Sequence, residues 1–215
     1  MQQLWQPLGQ SLRIASLATL GAALVAIPLA YWLARRKFPG KSLFESLLLL
    51  PLVLPPTVVG YFLLVLLGHG GLISGPLHFS IIWKWYGAAV AAGVVAFPLL
   101  LMPARAAFAG IDREMEEIAL LMGANRFQVF WQISLPLASR GIAAGLLLAF
   151  ARALGEFGAT VMVLGMRQDT RTLPIFVYEE YYSFDTSGLA VAVLILSMVA
   201  LIVIVIYNRL PAARV

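Results

Sequence analysis

An all-α protein that crosses a membrane about five times is the fold class the sequence predicts, on three observations. Of its 215 residues 61% are hydrophobic and 12% charged, and the mean hydropathy is +0.91, where soluble domains are about 45–50% apolar. Five stretches stay apolar for the roughly 20 residues a helix needs to cross the hydrocarbon core. The basic residues collect in alternate connections, which is how a membrane protein marks its cytoplasmic side. A pI near 9.8 and a formal charge of +5 are thereby read as topology signals, and nucleic-acid binding is set aside. Cysteine is absent, which excludes a disulfide framework and cysteine-ligated zinc or iron–sulfur sites.

The predicted spans run 12–34, 43–67, 86–108, 137–156 and 189–207. The first contains Arg13, Ser16 and Thr19 and lacks a small-residue cleavage site, so it is expected as a mature helix and not a signal peptide. The second holds Pro51, Pro55 and Pro56, each of which removes a backbone donor and leaves a carbonyl to be satisfied by neighbours or cavity water. A merely bent helix is one reading of any single proline. The cluster, followed by small residues, points instead to a pore-lining helix and makes Pro55, Pro56, Thr57 and Gly60 gate candidates. Pro98 and Pro103 in the third span are a weaker instance of the same pattern.

The fourth span carries Arg152 and Glu156 at i and i+4 near its outer end. Ionisable residues within a membrane are costly unless paired and turned to the protein interior. The two read either as an ion pair locking this span to its neighbours, or as positive potential and a switch at the mouth of an anion path. Residues 157–165 are apolar but too short to cross, and are expected as a partial or re-entrant element toward the outer face.

Ten of the fifteen basic residues flank one set of helix ends: Arg35, Arg36, Lys37, Lys41, Arg105, Arg113, Arg126, Arg140, Arg209 and Arg214. Arg13, Lys84, Arg152, Arg167 and Arg171 lie toward the other. The positive-inside rule then puts the N-terminus outside and the C-terminus in the cytoplasm, in keeping with an odd number of spans. In the outer loops His69 and His78 have no carboxylate or cysteine at ligand spacing and read as loop residues, not a metal site. Tyr178, Tyr181 and Tyr182 with Glu179, Glu180 and Asp185 read as a partner contact surface or as an interfacial aromatic belt.

The longest cytoplasmic connection contains "EEIALLMGANRFQVFWQISLP", residues 116–136. Its pattern predicts two short helical pieces joined at "MGAN", with Glu114, Glu116 and Glu117 in the first turns, where acids suit a helix N-terminus. Gly123 suits a left-handed stop and Asn125 an N-cap. In the second piece Phe127, Phe130 and Trp131 recur at i, i+3 and i+4 as one aromatic face, and Pro136 is expected to restart the chain as a membrane helix. An amphipathic stretch of this kind either lies on lipid headgroups or plugs a partner's groove.

Glu117, Ala119, Gly123, Ile133, Leu135 and Pro136 resemble the cytoplasmic coupling motif of ATP-binding-cassette importer permeases, E-A-A, three residues, Gly, nine residues, Ile, any residue, Leu, Pro. The spacing agrees throughout, and Ile118 stands where the family usually has alanine. The resemblance implies a type I importer permease fold, one transmembrane permease domain over 1–215, and a coupling segment over 112–135 in which Glu117, Ala119, Gly123, Ala124, Asn125, Arg126, Phe127 and Phe130 engage a separate ATPase. "LLLLPLVLPPTVVGYFLLVLLG" and "LLLAFARALGEFGATVMVLG" resemble the permeases of molybdate importers. Sulfate/thiosulfate permeases share a version of the second stretch.

The sequence has no G-x-x-x-x-G-K-[ST] phosphate loop, so ATP hydrolysis is expected from a partner, with ATP and Mg²⁺ used there and no cofactor bound by this chain. It also lacks H-E-x-x-H, G-x-S-x-G and a pair of intramembrane acids, so a catalytic role is not expected. The expectation is a homodimeric, multi-pass cell-membrane permease for molybdate. Its partners would be two ATPases inside and an extracytoplasmic binding protein outside. A sulfate/thiosulfate or tungstate permease is the alternative reading, and a passive anion channel the more remote one.

Overall fold

The structure, a computed structural model, describes residues 2–76, 80, 82–166, 170–183 and 186–209. His78, Arg167, Asp185 and Arg214 lie outside them. Among the described residues every regular element is helical. The order is α1 (Gln2–Arg35), α2 (Lys41–Val53), α3 (Pro56–Leu67), α4 (Trp85–Ala109), α5 (Arg113–Leu121), α6 (Arg126–Val129), a π-helical turn (Phe130–Ser134), α7 (Leu135–Leu154), α8 (Gly158–Leu164), α9 (Leu173–Ser183) and α10 (Thr186–Arg209). At ~1.5 Å per residue, α1, α4, α10 and the continuous helix Arg126–Leu154 are each long and apolar enough to cross a membrane.

The centre of the protein is built from α1, α4 and α7, which meet along seams of small residues. Ala15, Ala18, Ala22, Ala26 and Ala30 of α1 are buried, as are Ala88, Ala92, Ala96, Leu100, Ala104 and Phe108, every fourth residue of α4. Lipid is as apolar as leucine, so helices in a bilayer gain by close van der Waals approach, which small side chains allow. A Cβ at Gly93 would sit 3.2 Å from the Ala18 carbonyl oxygen, and one at Gly145 3.1 Å from that of Leu100.

The contacts fix the direction of each span. Near one end of α1 the Arg13 guanidinium lies 3.8 Å from the centre of the Trp85 ring. At the other end Arg35 reaches the Ile111 carbonyl at 3.4 Å. Hence α1 and α4 run parallel. The chain between them must return to its starting side, so α2 and α3 together make one crossing and not a hairpin. Gly141 packs on Ala107 and Gly145 on Leu100, so α7 runs antiparallel to α4.

The second span departs from the expected single kinked helix. It is broken into α2 and α3, bent by 112°. A residue before proline is pushed out of the helical region. Two such residues follow one another: Leu54 before Pro55 has ψ 144°, and Pro55 before Pro56 has ψ 134°. Pro51 stays within α2. The cytoplasmic end of α2 is tied to α4 by Glu45, 3.0 Å from Arg105 and 3.7 Å from Lys41.

The fourth span also differs from expectation. It begins at Arg126 and ends at Leu154, because α6, the π turn and α7 are continuous. Pro136 does stand in the first turn of α7, where a proline is tolerated, directly after the π turn Phe130–Ser134. Glu156 lies beyond the helix end, after Gly155. At the outer side α9 lies against the start of α1, where the Leu173 N–H donates to Ser11 Oγ at 2.7 Å. Leu4, Leu173, Phe176 and Ala192 form a small core there, and α10 descends from it as the fifth crossing.

Candidate functional site

Two groups of sequence-singled residues lie at opposite ends of the molecule. At the cytoplasmic end, Asp112 caps α5 by accepting from the Glu114 N–H at 3.0 Å. The helix stops at Gly123, whose φ of +93° is a backbone that L-residues avoid. Asn125 and Gln128 then form a reciprocal capping box, each side chain bonded to the other's backbone N–H at 2.9 and 2.8 Å, which fixes the entry to α6.

The surface this leaves is apolar and unburied. Met115, Ile118, Leu121 and Met122 are exposed, Leu121 by 87%, and Phe127 is 71% exposed. Glu117, Gly123, Asn125 and Arg126 are exposed beside them, while Ala119 and Ala124 are half-buried. The expected aromatic face forms, with the Trp131 ring 6.0 Å from that of Phe127 and 5.5 Å from that of Phe130. Phe127 and Trp131 face outward, but Phe130 turns in against Tyr31 and Phe108, with ring centres 5.0 and 6.1 Å away. Phe130 is the inner end of the ring cluster, lodged between α1 and α4, and Phe127 its outer end.

One residue here carried no functional expectation. Glu116, expected only as a first-turn acid, is buried. Its Oε1 accepts from Arg35 Nη2 and from Ser134 Oγ, both at 2.7 Å. The local sequence "EMEE" does not say which acid turns inward. The available signal was Arg35, a cation at the end of a span that needs a counter-ion.

The second group surrounds α8, which meets α3 through two glycines in close approach. A Cβ at Gly60 would lie 2.8 Å from Met162 Cβ and 2.9 Å from Ala159 Cα; one at Gly158 would lie 3.1 Å from both Pro56 Cβ and the Thr57 nitrogen. Glu156 holds the same short helix from the other side. Its Oε1 accepts from the Ala159 N–H at 2.7 Å, and its Oε2 lies 2.6 Å from Arg152 Nη1. Pro55, Pro56, Thr57, Gly60, Arg152 and Glu156 are thus gathered around one element. Thr57 and Pro55 are exposed, Arg152 half-buried and Glu156 2% exposed.

Trp83 closes the outer end of α8. Its N–H donates to the Val163 carbonyl at 3.0 Å and its ring packs on Gly165. Among the described residues no cluster of His, Asp and Glu suits a metal ion. On α9 the Tyr178 ring packs on Phe157 and Tyr182, and its hydroxyl is raised above the ordinary tyrosine range, first by its hydrogen bond with Tyr182 and then by burial.

Comparison with known proteins gives a consistent picture. Residues 26–215 match the family model described as the binding-protein-dependent transport system inner membrane component. The molybdenum transport system permease protein ModB of Escherichia coli K12 is 46% identical over 179 residues, 81% of this chain and 78% of that protein. The sulfate transport system permease protein CysW of Synechococcus elongatus is 35% identical over 216 residues, 94% of this chain and 75% of that one. Among solved structures, a chain of the MetNI methionine ABC transporter in an inward-facing conformation superposes with a TM-score of 0.74 at 16% identity, covering 97% of this chain and 94% of that one.

Proposed function

This chain belongs to the family of inner-membrane components of binding-protein-dependent transport systems, and from that premise we propose that it forms the translocation path of an ATP-driven importer for a tetrahedral oxyanion, molybdate first. The observation that carries the reading is the exposed apolar docking face over 112–135, joined directly to a span. Met115, Ile118, Leu121, Met122 and Phe127 are unburied apolar side chains in a connection that the positive-inside rule puts on the cytoplasmic side, which suits insertion into a groove of a second protein. A passive channel has no use for such a face.

In this reading Glu117, Ala119, Gly123, Ala124, Asn125, Arg126 and Phe127 engage a separate ATPase, which holds ATP and Mg²⁺. Phe130 seats the segment on the membrane helices. Closure of two ATPases moves the paired docking segments, and the spans alternate between inward-open and outward-open states. The path runs beside α3 and α8, with Pro55, Pro56, Thr57 and Gly60 lining its gate. Arg152, held by Glu156, lends positive potential near the outer mouth without a tight anion site, since tight binding in transit would prevent release. A second copy of the chain completes the path, because five crossings and one docking segment are half of what two ATPases require. An extracytoplasmic binding protein delivers the ion.

Identity to molybdenum permeases supports molybdate, and the sulfate relative keeps sulfate or thiosulfate as the second substrate reading. The test is ATP-dependent uptake of labelled molybdate into vesicles containing this chain, its ATPase and its binding protein. Uptake competed by tungstate and not by sulfate is expected. Uptake of sulfate instead moves the chain to the second reading, and anion flux that ignores ATP overturns the importer.

A further inference from the structure

We infer that Glu116 is a positioning residue of the transport cycle, whose carboxylate makes the docking segment and the cytoplasmic ends of the first and fourth spans move as one body. This rests on the function proposed above and assigns a part within it. Three elements distant in sequence converge on one oxygen atom. Glu116 Oε1 accepts from Arg35, the last residue of α1, and from Ser134, the last residue of the π turn. Glu116 is 7% exposed and Ser134 fully buried, while Glu114 and Glu117 on the same helix face solvent.

The need for such a tie follows from how α5 is hung. Its apolar side chains Met115, Ile118 and Leu121 point away from the protein, so it has little apolar grip on the spans. Both its ends are joints, Gly110 to Asp112 before it and Met122 to Ala124 after it, with Gly123 at φ +93°. A helix mounted this way swivels under load unless something fixes its middle. Arg113 offers only a 3.5 Å contact with the Ala34 carbonyl. The Glu116 carboxylate supplies a charge-assisted link in a largely dry setting, where separating the partners would strand a buried charge.

Ser134 extends that link into the fourth span. Its hydroxyl also lies 3.3 Å from the carbonyl of Val129, the last residue of α6, across the π turn. Such turns mark places where a helix departs from regular register, often at functional sites. A displacement of α5 is therefore passed to α1 through Arg35 and to the fourth span through Ser134, and is not dissipated at Gly123.

A residue that merely stabilised α5 would alter how much complex assembles, and each assembled complex would transport normally. A positioning residue alters how many ions move per ATP. The experiment uses the full complex of this chain, its ATPase and its binding protein in liposomes, measuring molybdate import and phosphate release from the same vesicles per assembled complex. Glu116→Ala is expected to lower ions per ATP about tenfold or more, as a small misplacement of moving parts does, while hydrolysis persists. Arg35→Glu should be as severe, and R35E combined with E116R should regain a large part of the ratio. Glu116→Gln and Ser134→Ala, milder changes that cover the case in which Glu116→Ala fails to assemble, should each lower it about threefold. Wild-type ions per ATP in Glu116→Ala, or in both milder variants, overturns the inference, as does a failure of the charge exchange to regain any of the ratio. Wild-type vesicles that import no oxyanion overturn the proposed function instead, and that outcome is read before any variant.

Discussion

Replacing Gly123 with valine perturbs, within this chain, the backbone of the docking joint alone, because a Cβ at this position meets no atom of the chain within 4 Å. The strain within the chain therefore comes from the backbone. At φ +93° a β-branched residue is a genuine outlier, and holding an L-residue in that region costs roughly 1–3 kcal/mol. At about 1.4 kcal/mol per tenfold, the observed joint becomes roughly 5- to 140-fold less populated relative to its competitors. Asparagine tolerates a left-handed backbone far better, so Gly123→Asn adds a larger polar side chain with little strain. In the vesicle assay, per unit of inserted chain, Gly123→Val is expected to lose about tenfold or more of ATP-dependent uptake and Gly123→Asn to stay within about twofold. Normal uptake by Gly123→Val refutes the reasoning. So does an equal loss in both variants, which would place the effect in the side chain and not in φ.

The remaining predictions separate anchoring from docking and pairing from guiding. Phe130→Ala, which empties the space against Tyr31 and Phe108, should destabilise the detergent-solubilised chain by about 3 kcal/mol, whereas Phe127→Ala should leave thermal stability unchanged and weaken ATPase binding in a pull-down. Glu156→Ala strands Arg152 and uncaps the Ala159 N–H, and should lower stability by about 3 kcal/mol or more. If Arg152→Ala together with Glu156→Ala restores the uptake that either alone loses, the pair is structural and guides no anion. Gly60→Val should force α3 from α8 at Met162 and Ala159, abolishing uptake while trypsin still finds an inserted protein.

The sequence spells out how many crossings there are more clearly than how they pack. A run of some 20 apolar residues has only one use in a bilayer, so four spans and the second, broken one were legible. The proline pair at 55 and 56 marks where backbone donors are missing, yet it does not state an angle; the 112° bend depends on α3 finding α8, a helix of seven residues too short to give a periodic signal. The alanines at 88, 92, 96 and 104 lie at helical spacing, but α4 is apolar on every side, so no polar face betrays which side is buried. In the docking segment the joint was legible because Gly123 and Asn125 act through local chemistry. The inward turn of Glu116 and Phe130 was not, because their partners Arg35 and Tyr31 lie about a hundred residues or less upstream, on a helix whose facing sequence alone does not reveal.

The packing also says which parts can move against one another. The α1, α4 and α7 seam is rich in alanine and glycine, which have no rotamers to change, and is closely packed, so a load arriving at its cytoplasmic end moves it as a body. By contrast α2 buries none of its side chains, and the chain leaves it through two extended residues at Leu54 and Pro55. Beyond that break α3 is fastened to α8 by glycine contacts, and α8 is fastened to the end of α7 by Glu156. The outer part of the second span is thus held to the end of α7 through α8, while its inner part is held to α1 by Lys41 and to α4 by Glu45, and the two extended residues at Leu54 and Pro55 are the joint between them. In the function proposed above, that joint lies beside Pro56, Thr57 and Gly60, the residues that the sequence offers for a gate.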